Sequence, residues 1–118
     1  MTVLRFMLVL ATVAIFAVTI AAAKRAGINW PAAFMSDLLA LNWRSQFNAD
    51  LVIHLALVGC WVAWREGWGA KGAVFGVFCV VWGGMFTFPY VLIESIRADG
   101  DPERIFLGAN VQFRGETP

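Results

Sequence analysis

Two long apolar runs separated by a short charged turn dominate the sequence between residues 47 and 96. The first run, FNADLVIHLALVGCWVAW, precedes the turn REGWGAK, and the second, GAVFGVFCVVWGGMFTFPYVLIESI, follows that turn. About 20 consecutive apolar residues suffice to cross the hydrocarbon core of a bilayer as a helix. The pattern predicts a helical hairpin in a membrane, with arms at residues 47–64 and 69–96.

The composition supports a membrane location. Of 118 residues, 60% are hydrophobic and 14% are charged, and the mean hydropathy is +0.71. A soluble domain carries about 25% charged residues, so this apolar excess needs lipid or a large partner to cover it. The net charge of +1 excludes a strong electrostatic attraction to nucleic acid. We expect one membrane domain over residues 1–118.

A first spanning helix is predicted over residues 3–23, where Arg5 is the only charged residue. A cleaved signal peptide is the alternative interpretation, because Arg5 gives a basic start and Ala21, Ala22 and Ala23 give small residues before a cleavage point. The apolar run is longer than a usual signal core, which favours an uncleaved helix.

A short amphipathic helix is predicted at the membrane surface over residues 31–42. Pro31 suits a first helical position, and Trp30 and Trp43 bracket the segment as interfacial anchors. Its apolar positions recur at helical spacing: Phe34, Leu38 and Leu41.

The predicted fold is therefore an all-α integral membrane protein with three transmembrane helices, one surface helix and a loosely ordered polar tail from residue 97. We expect it in the inner membrane of a bacterium as a multi-pass protein. Three spans place the first loop and the tail on one side, with more basic residues than the other side, which favours an outside N-terminus and a cytoplasmic tail. The basic residues of the loop and tail are Lys24, Arg25, Arg44, Arg97, Arg104 and Arg114.

A stripe of small residues follows the third predicted span. Gly72, Gly76 and Gly83 let a neighbouring helix backbone approach closely, as in the small-x-x-x-small pattern of membrane helices. The stripe packs either against the second helix of the same chain or against a partner protein or second copy.

Polar residues within the apolar runs are the candidate ligand-binding residues. Asp50 and His54 are four residues apart, so they share a helix face. Pro89 cannot donate to the carbonyl of Met85, and folding the hairpin at Gly67 brings this region level with Asp50. The predicted site contains Asp50, His54, Thr87 and Tyr90.

Three interpretations of this site stay open: a structural hydrogen-bond network, a proton- or ligand-handling site, and a pigment or metal site. The chain has one histidine, so a bis-histidine haem within one chain is excluded. The run from Ala49 to Trp68, in which His54 is followed by Trp61, Trp64 and Trp68, resembles the histidine-then-tryptophan helices of bacterial light-harvesting polypeptides. That resemblance implies a bacteriochlorophyll ligated by His54, and a haem on His54 is the related option.

Other reactive residues have structural interpretations. Glu94 is predicted to pair with Arg97 at the membrane interface. Cys60 and Cys79 lie at different depths of the predicted hairpin, so no disulfide is expected, and no Cys/His cluster suggests zinc. No motif for a nucleophilic or phosphate-binding enzyme is present.

A sparse motif set resembles that of small three-helix bacterial membrane proteins catalogued only as a domain of unknown function. The matching features are Phe47-x-x-Asp50, Trp61, Glu66, a glycine in the next helix and Pro89 near its end. The resemblance covers residues 4–97 and implies the three-helix layout without implying an activity. The Arg-Glu pair that follows the proline in that family is not reproduced here, and His54 is outside its pattern.

From these features we predict a non-enzymatic accessory or scaffold subunit that packs against a larger membrane complex or against its own copies. The first alternative is a pigment- or small-ligand-binding membrane protein that uses His54 and Asp50. The second alternative is a small membrane enzyme or transporter acting through the same two residues.

Overall fold

A computed structural model describes the backbone of residues 1–114 and the side chains of residues 1–111. These residues are helical almost throughout and form an elongated body of 56 × 27 × 23 Å. The elements in chain order are α1 (Thr2–Ala26), α2 (Trp30–Leu39), α3 (Trp43–Arg65), α4 (Ala70–Trp82), α5 (Gly84–Arg97), α6 (Pro102–Leu107) and a 3₁₀ helix (Gly108–Arg114).

Two helices, α1 and α3, are long and apolar enough to cross a membrane. Leu8 is the one buried residue of α1, so most of the apolar surface of this helix is uncovered by the chain itself. Lipid can cover such an apolar surface, whereas its exposure to water is energetically unfavourable. The predicted all-helical membrane architecture is supported to this extent, and the third predicted span is not formed as one helix.

The predicted helix at residues 69–96 is wrong, because the chain breaks at Gly83 and folds back. Gly83 has φ +58°, a left-handed conformation that glycine adopts without the penalty that a Cβ brings. The ring of Phe75 on α4 lies 5.5 Å from that of Phe86 and 5.8 Å from that of Tyr90 on α5. Helices α4 and α5 are therefore antiparallel neighbours joined at Gly83 and Gly84.

This fold-back returns α5 to the end of the molecule at which α4 begins. At the other end of the hairpin, a Cβ on Gly83 would lie 3.7 Å from the Leu55 side chain. Leu55 precedes Arg65 by ten residues, which is roughly 15 Å along α3. Helix α1 packs along α5, and Arg5 near its start donates 2.8 Å to the carbonyl of Ser95. The start of α1 and the ends of α3 and α5 therefore share one end of the molecule.

Close packing of α3 on α4 uses glycines from both helices. A Cβ on Gly76 would lie 2.8 Å from the carbonyl oxygen of Gly59, and one on Gly59 would lie 2.7 Å from that of Gly76. Gly72 approaches the carbonyl of Ala63 in the same way, at 2.8 Å. Of the two interpretations of the stripe, Gly72 and Gly76 adopt the packing against this chain's own second long helix, whereas Gly83 forms the break.

A short helix, α2, is present where the surface helix is predicted, with slightly different bounds, and its place at a membrane surface stays a prediction. Asn29 caps it by accepting a hydrogen bond from the Ala32 amide, and no residue of α2 is buried. Asn42 and Ser45 then form a reciprocal capping box that starts α3 at Trp43, four residues before the predicted start. Capping by short polar side chains therefore sets both helix starts.

The tail is ordered where the prediction made it loose. Asp101 caps α6 through the amide of Glu103, and Ile105 is buried. The Phe106 ring lies about 6 Å from two tryptophan rings, those of Trp61 and Trp64. The segment after α5 thus covers the end of α3, and the last four residues of the predicted tail, 115–118, lie outside the described residues.

Candidate functional site

Asp50 and His54 form a pair on α3, as their spacing predicts. The Nδ1 atom of His54 lies 2.7 Å from the backbone carbonyl oxygen of Asp50 and 3.2 Å from its carboxylate Oδ1. Both neighbours accept hydrogen bonds, so Nδ1 carries a proton and donates it. These contacts fix the orientation of the imidazole ring and leave Nε2 of His54 able to bind another partner.

The pair lies at the centre of α3 and faces away from the rest of the chain. His54 is the central, twelfth residue of the 23 in α3, about 16 Å from each end. The His54 and Asp50 side chains are 68% and 56% exposed. Large apolar side chains surround the pair on the same outward surface: Phe47, Leu51, Ile53 and Leu57.

Thr87 and Tyr90 do not join this pair, so the predicted four-residue site is not formed. The hydroxyl of Thr87 faces Cys79 on α4, and Tyr90 bonds to residues at the end of α3. The reason is the break at Gly83, because a returning α5 carries Tyr90 toward Arg65 instead of away from it. Pro89 lies within α5 without ending it.

A second polar cluster, which the sequence did not reveal, surrounds Arg65 at the end of α3. The Arg65 side chain is 5% exposed, and its guanidinium donates to Tyr90 Oη at 2.9 Å, to Glu66 at 3.1 Å and to Glu94 at 3.0 Å. It also donates to the backbone carbonyls of Arg104 and Ile105. We call Arg65, Glu66, Tyr90 and Glu94 the arginine cluster.

The surroundings of Glu66 in the arginine cluster change the pKa of its carboxyl group. Burial alone would raise its pKa, but the hydrogen bond from Tyr90 and the positive charges of Lys71 and Arg65 outweigh burial and lower the pKa below its usual value. Lys71 Nζ lies 3.5 Å from the other Glu66 oxygen. Glu66 is therefore a carboxylate at neutral pH.

The arginine cluster forms one wall of an open cleft of about 460 Å³, whose other walls come from the end of α5 and from the 3₁₀ helix. Arg97 lies 3.3 Å from Glu94, so the predicted Glu94–Arg97 pair is confirmed, with Arg65 as an additional partner. Each charge of the cluster faces an opposite one. This mutual neutralisation ties α3, α5 and α6 together and leaves none of its carboxylates uncompensated for acid–base chemistry.

The four-residue spacing of Tyr90 and Glu94 was the available signal for this cluster, since it places both on one face of α5. Arg65 and Glu66 looked like turn residues, and the return of α5 was needed to see that they meet that face.

The described part of the chain contains neither a disulfide nor an assembled metal site. Cys60 is exposed and Cys79 is buried, and both are free thiols. Among the described residues, no group of three His, Cys, Asp or Glu side chains is placed to hold a metal ion.

Comparison with known proteins gives no relative from which a role can be transferred. The chain matches no protein-family model, no curated protein and no solved structure.

Proposed function

We propose that this chain is a non-enzymatic membrane subunit that packs against another protein chain in the bilayer through the outward surface of α3. The observation that carries the proposal is the exposed Asp50–His54 pair at the middle of a helix long and apolar enough to span a membrane. As expected from its sequence, we assign it to the inner membrane of a bacterium.

Exposure of this pair to lipid would be costly. A charged side chain at the centre of a spanning helix costs about 2.5–3.5 kcal/mol on insertion scales, and such residues usually face protein or water. Within the chain, the Nδ1 atom of His54 and the Oδ1 atom of Asp50 are paired with each other. A protein partner that supplies polar contacts at this depth would remove the cost of the remaining groups.

The same proposal implies a topology of two spans and a re-entrant hairpin. With α1 and α3 crossing the bilayer, the α4–α5 hairpin enters and leaves on one side, and its turn at Gly83 reaches roughly half the 30 Å hydrocarbon core. The side that holds the start of α1 has more basic residues than the other side, and the positive-inside rule makes that side cytoplasmic. These residues are Arg5, Arg65, Lys71, Arg97 and Arg104, against Lys24, Arg25 and Arg44. Two spans thus place the N-terminus in the cytoplasm, in contrast to the outside N-terminus expected from three spans.

A photo-crosslinking amino acid at position 57, which is 70% exposed, tests the proposal in native membranes. We expect illumination to link this position to a protein chain. The control is the same amino acid at Ala56, an exposed position at the same depth that points about 100° away around the helix. Lipid adducts at position 57 with no protein adduct would overturn the proposal.

A second candidate function is binding of a metal tetrapyrrole, a haem or a bacteriochlorophyll, at His54. Donation from Nδ1 to Asp50 fixes the ring and leaves Nε2 for a metal, the arrangement in which histidine ligands are usually held. Purified protein should then show a visible absorption band that the His54→Leu variant lacks. A colourless protein that also fails to acquire a band when haem is added would exclude this candidate.

A further inference from the structure

We propose that the chain covering the Asp50–His54 pair is a second copy of this protein, with α3 packed against α3 about a two-fold axis along the membrane normal. This inference rests on the proposed function, because it names the partner for the same surface. It is argued from the spacing of the exposed residues along α3 and from the chemistry of the pair.

The outward surface of α3 carries a seam with alternating steps of four and three residues. This spacing averages 3.5 residues, the repeat by which two helices stay in contact along their length. The seam lies opposite the side that packs on α4, where Gly59, Val62 and Ala63 are buried. Its members are Trp43, Phe47, Asp50, His54 and Leu57, and it ends before Trp61, which is covered by Phe106.

Apolar residues occupy both halves of the seam, and the polar pair occupies its centre. Trp43, Phe47 and Leu57 are 76%, 67% and 70% exposed, so each leaves a large apolar surface for a facing helix. A polar pair at the centre of an otherwise apolar seam fixes the register in which two helices meet. The same-depth alignment is the one that a two-fold axis along the membrane normal imposes.

The pair is complementary to itself, which favours a second copy over an unrelated chain. Each α3 presents one imidazole nitrogen, Nε2 of His54, and the carboxylate of Asp50, one helical turn apart. In a parallel pair, His54 of each copy faces the Asp50 carboxylate of the other. The symmetric arrangement therefore makes two equivalent contacts with no further residue needed.

Proton accounting supports the same arrangement. With a proton on Nδ1 and one further proton shared between Nε2 of one copy and the carboxylate of the other, each chain's Asp50–His54 pair is electrically neutral. Both groups are hydrogen-bond acceptors without that proton, and the shared proton makes one of them a donor. A neutral, hydrogen-bonded quartet is compatible with the middle of a bilayer, where isolated charges are not.

Cysteine crosslinking tests the inference on the full chain in native membranes. In a Cys60→Ala background, Leu57→Cys should form an oxidised band of twice the 13.0 kDa chain mass. Ala56→Cys is the matched control, since it lies at the same depth outside the seam, and it should remain monomeric. Mass spectrometry identifies the chains joined in every band.

Complementation between two variants supplies the second measurement. Asp50→Ala and His54→Ala should each lower the crosslinked fraction of Leu57→Cys by roughly 3- to 30-fold, from the strength of polar contacts between membrane helices. Co-expression of the two variants restores one of the two contacts, and the mixed pair should crosslink more than either variant alone. Far-ultraviolet circular dichroism checks that each variant keeps its helices.

The outcomes separate this inference from the proposed function. A doubled band with rescue in the mixed pair supports both. A crosslink from position 57 to a different protein supports the proposed function and overturns the second-copy inference. The absence of any protein crosslink at position 57 overturns both. Equal crosslinking at positions 56 and 57 overturns the two-fold seam.

Discussion

Helix α3 carries two ionic groups with opposite surroundings, one at its end and one at its middle. Arg65 is 5% exposed and contacts carboxylates, a hydroxyl and backbone carbonyls from three other parts of the chain. His54 is 68% exposed, and its Nδ1 atom bonds to Asp50 on the same helix. The chain itself supplies the partners of Arg65, whereas Nε2 of His54 has its partner outside the chain in the function proposed above.

This difference separates a structural role from an interaction role. A buried charge whose partners are all present holds elements together, and removal of one partner leaves the others buried without compensation. An exposed pair in an apolar surface adds little to the folding of its own chain. Substitutions at the arginine cluster should therefore affect stability, whereas substitutions at the Asp50–His54 pair should affect association.

The largest expected effect is that of Arg65→Met. This variant leaves Glu66 and Glu94 without their shared cation, which should lower the free energy of unfolding by about 3–5 kcal/mol. Unfolding in mixed micelles, followed by circular dichroism, provides the measurement. Arg44→Ala is the control, because Arg44 is 72% exposed and its ion pair with Asp37 spans 3.7 Å. Equal losses in the two variants would contradict the structural role of the cluster.

A smaller loss is expected from Gly76→Val, which tests the backbone contact between α3 and α4. Its Cβ would lie 2.8 Å from the Gly59 carbonyl oxygen, and that backbone cannot move aside without separating the helices. Overpacking of this kind costs about 1–3 kcal/mol. Ala56→Val places the same side chain on an exposed part of α3 and should leave the free energy of unfolding nearly unchanged. A tolerated Gly76→Val would show that the two helices are less tightly packed.

Acid should weaken the arginine cluster through Glu66. Its pKa is lower in the folded chain than in the unfolded one, so the unfolded state binds more protons in acid and stability falls as the pH falls through that range. The stabilising effect is complete above the ordinary glutamate pKa of about 4.3. Glu66→Gln should be less stable at neutral pH and lose less stability between pH 6 and pH 3. Parallel pH profiles for the two proteins would argue against this role of Glu66.

The smallest stability effect is expected from Asp50→Ala in detergent at a dilution where the chain is monomeric. The free energy of unfolding should change by no more than about 0.5 kcal/mol, since the lost pair is exposed. Repeating the titration at increasing protein-to-detergent ratio should reveal a difference, because only the wild type gains stability from association. A large loss in the monomer would place Asp50 among the residues that fold the chain.

Hydropathy located α1 and α3, and Pro31, helical spacing and flanking tryptophans located α2, because these signals depend on neighbouring residues in the chain. The turn at Gly67 and the packing of Gly72 and Gly76 also followed from local spacing. The break at Gly83 did not, since a glycine in a membrane helix serves close packing as readily as a left-handed turn. The adjacent Gly84 was the signal that distinguished the two uses.

The composition of the candidate sites depended on that one break. Asp50 and His54 meet as their spacing of four predicts, because both lie on a single helix. A straight third helix would bring Tyr90 beside them, and the fold-back places it with Arg65 instead. Contacts within a helix can be inferred from spacing, whereas contacts between helices require the direction in which each helix runs.

The fold-back at Gly83 also bears on how the chain is inserted into a bilayer during synthesis. When α1 and α3 cross the membrane, the polar segment between them, including α2, is the part that must be translocated. The described residues after Arg65 would then begin and end on one side, so the charged end of α5 and the helix α6 would not pass through the hydrocarbon. A single translocated loop then suffices for insertion, and the α4–α5 hairpin can settle between α1 and α3 afterwards from the side of the ribosome.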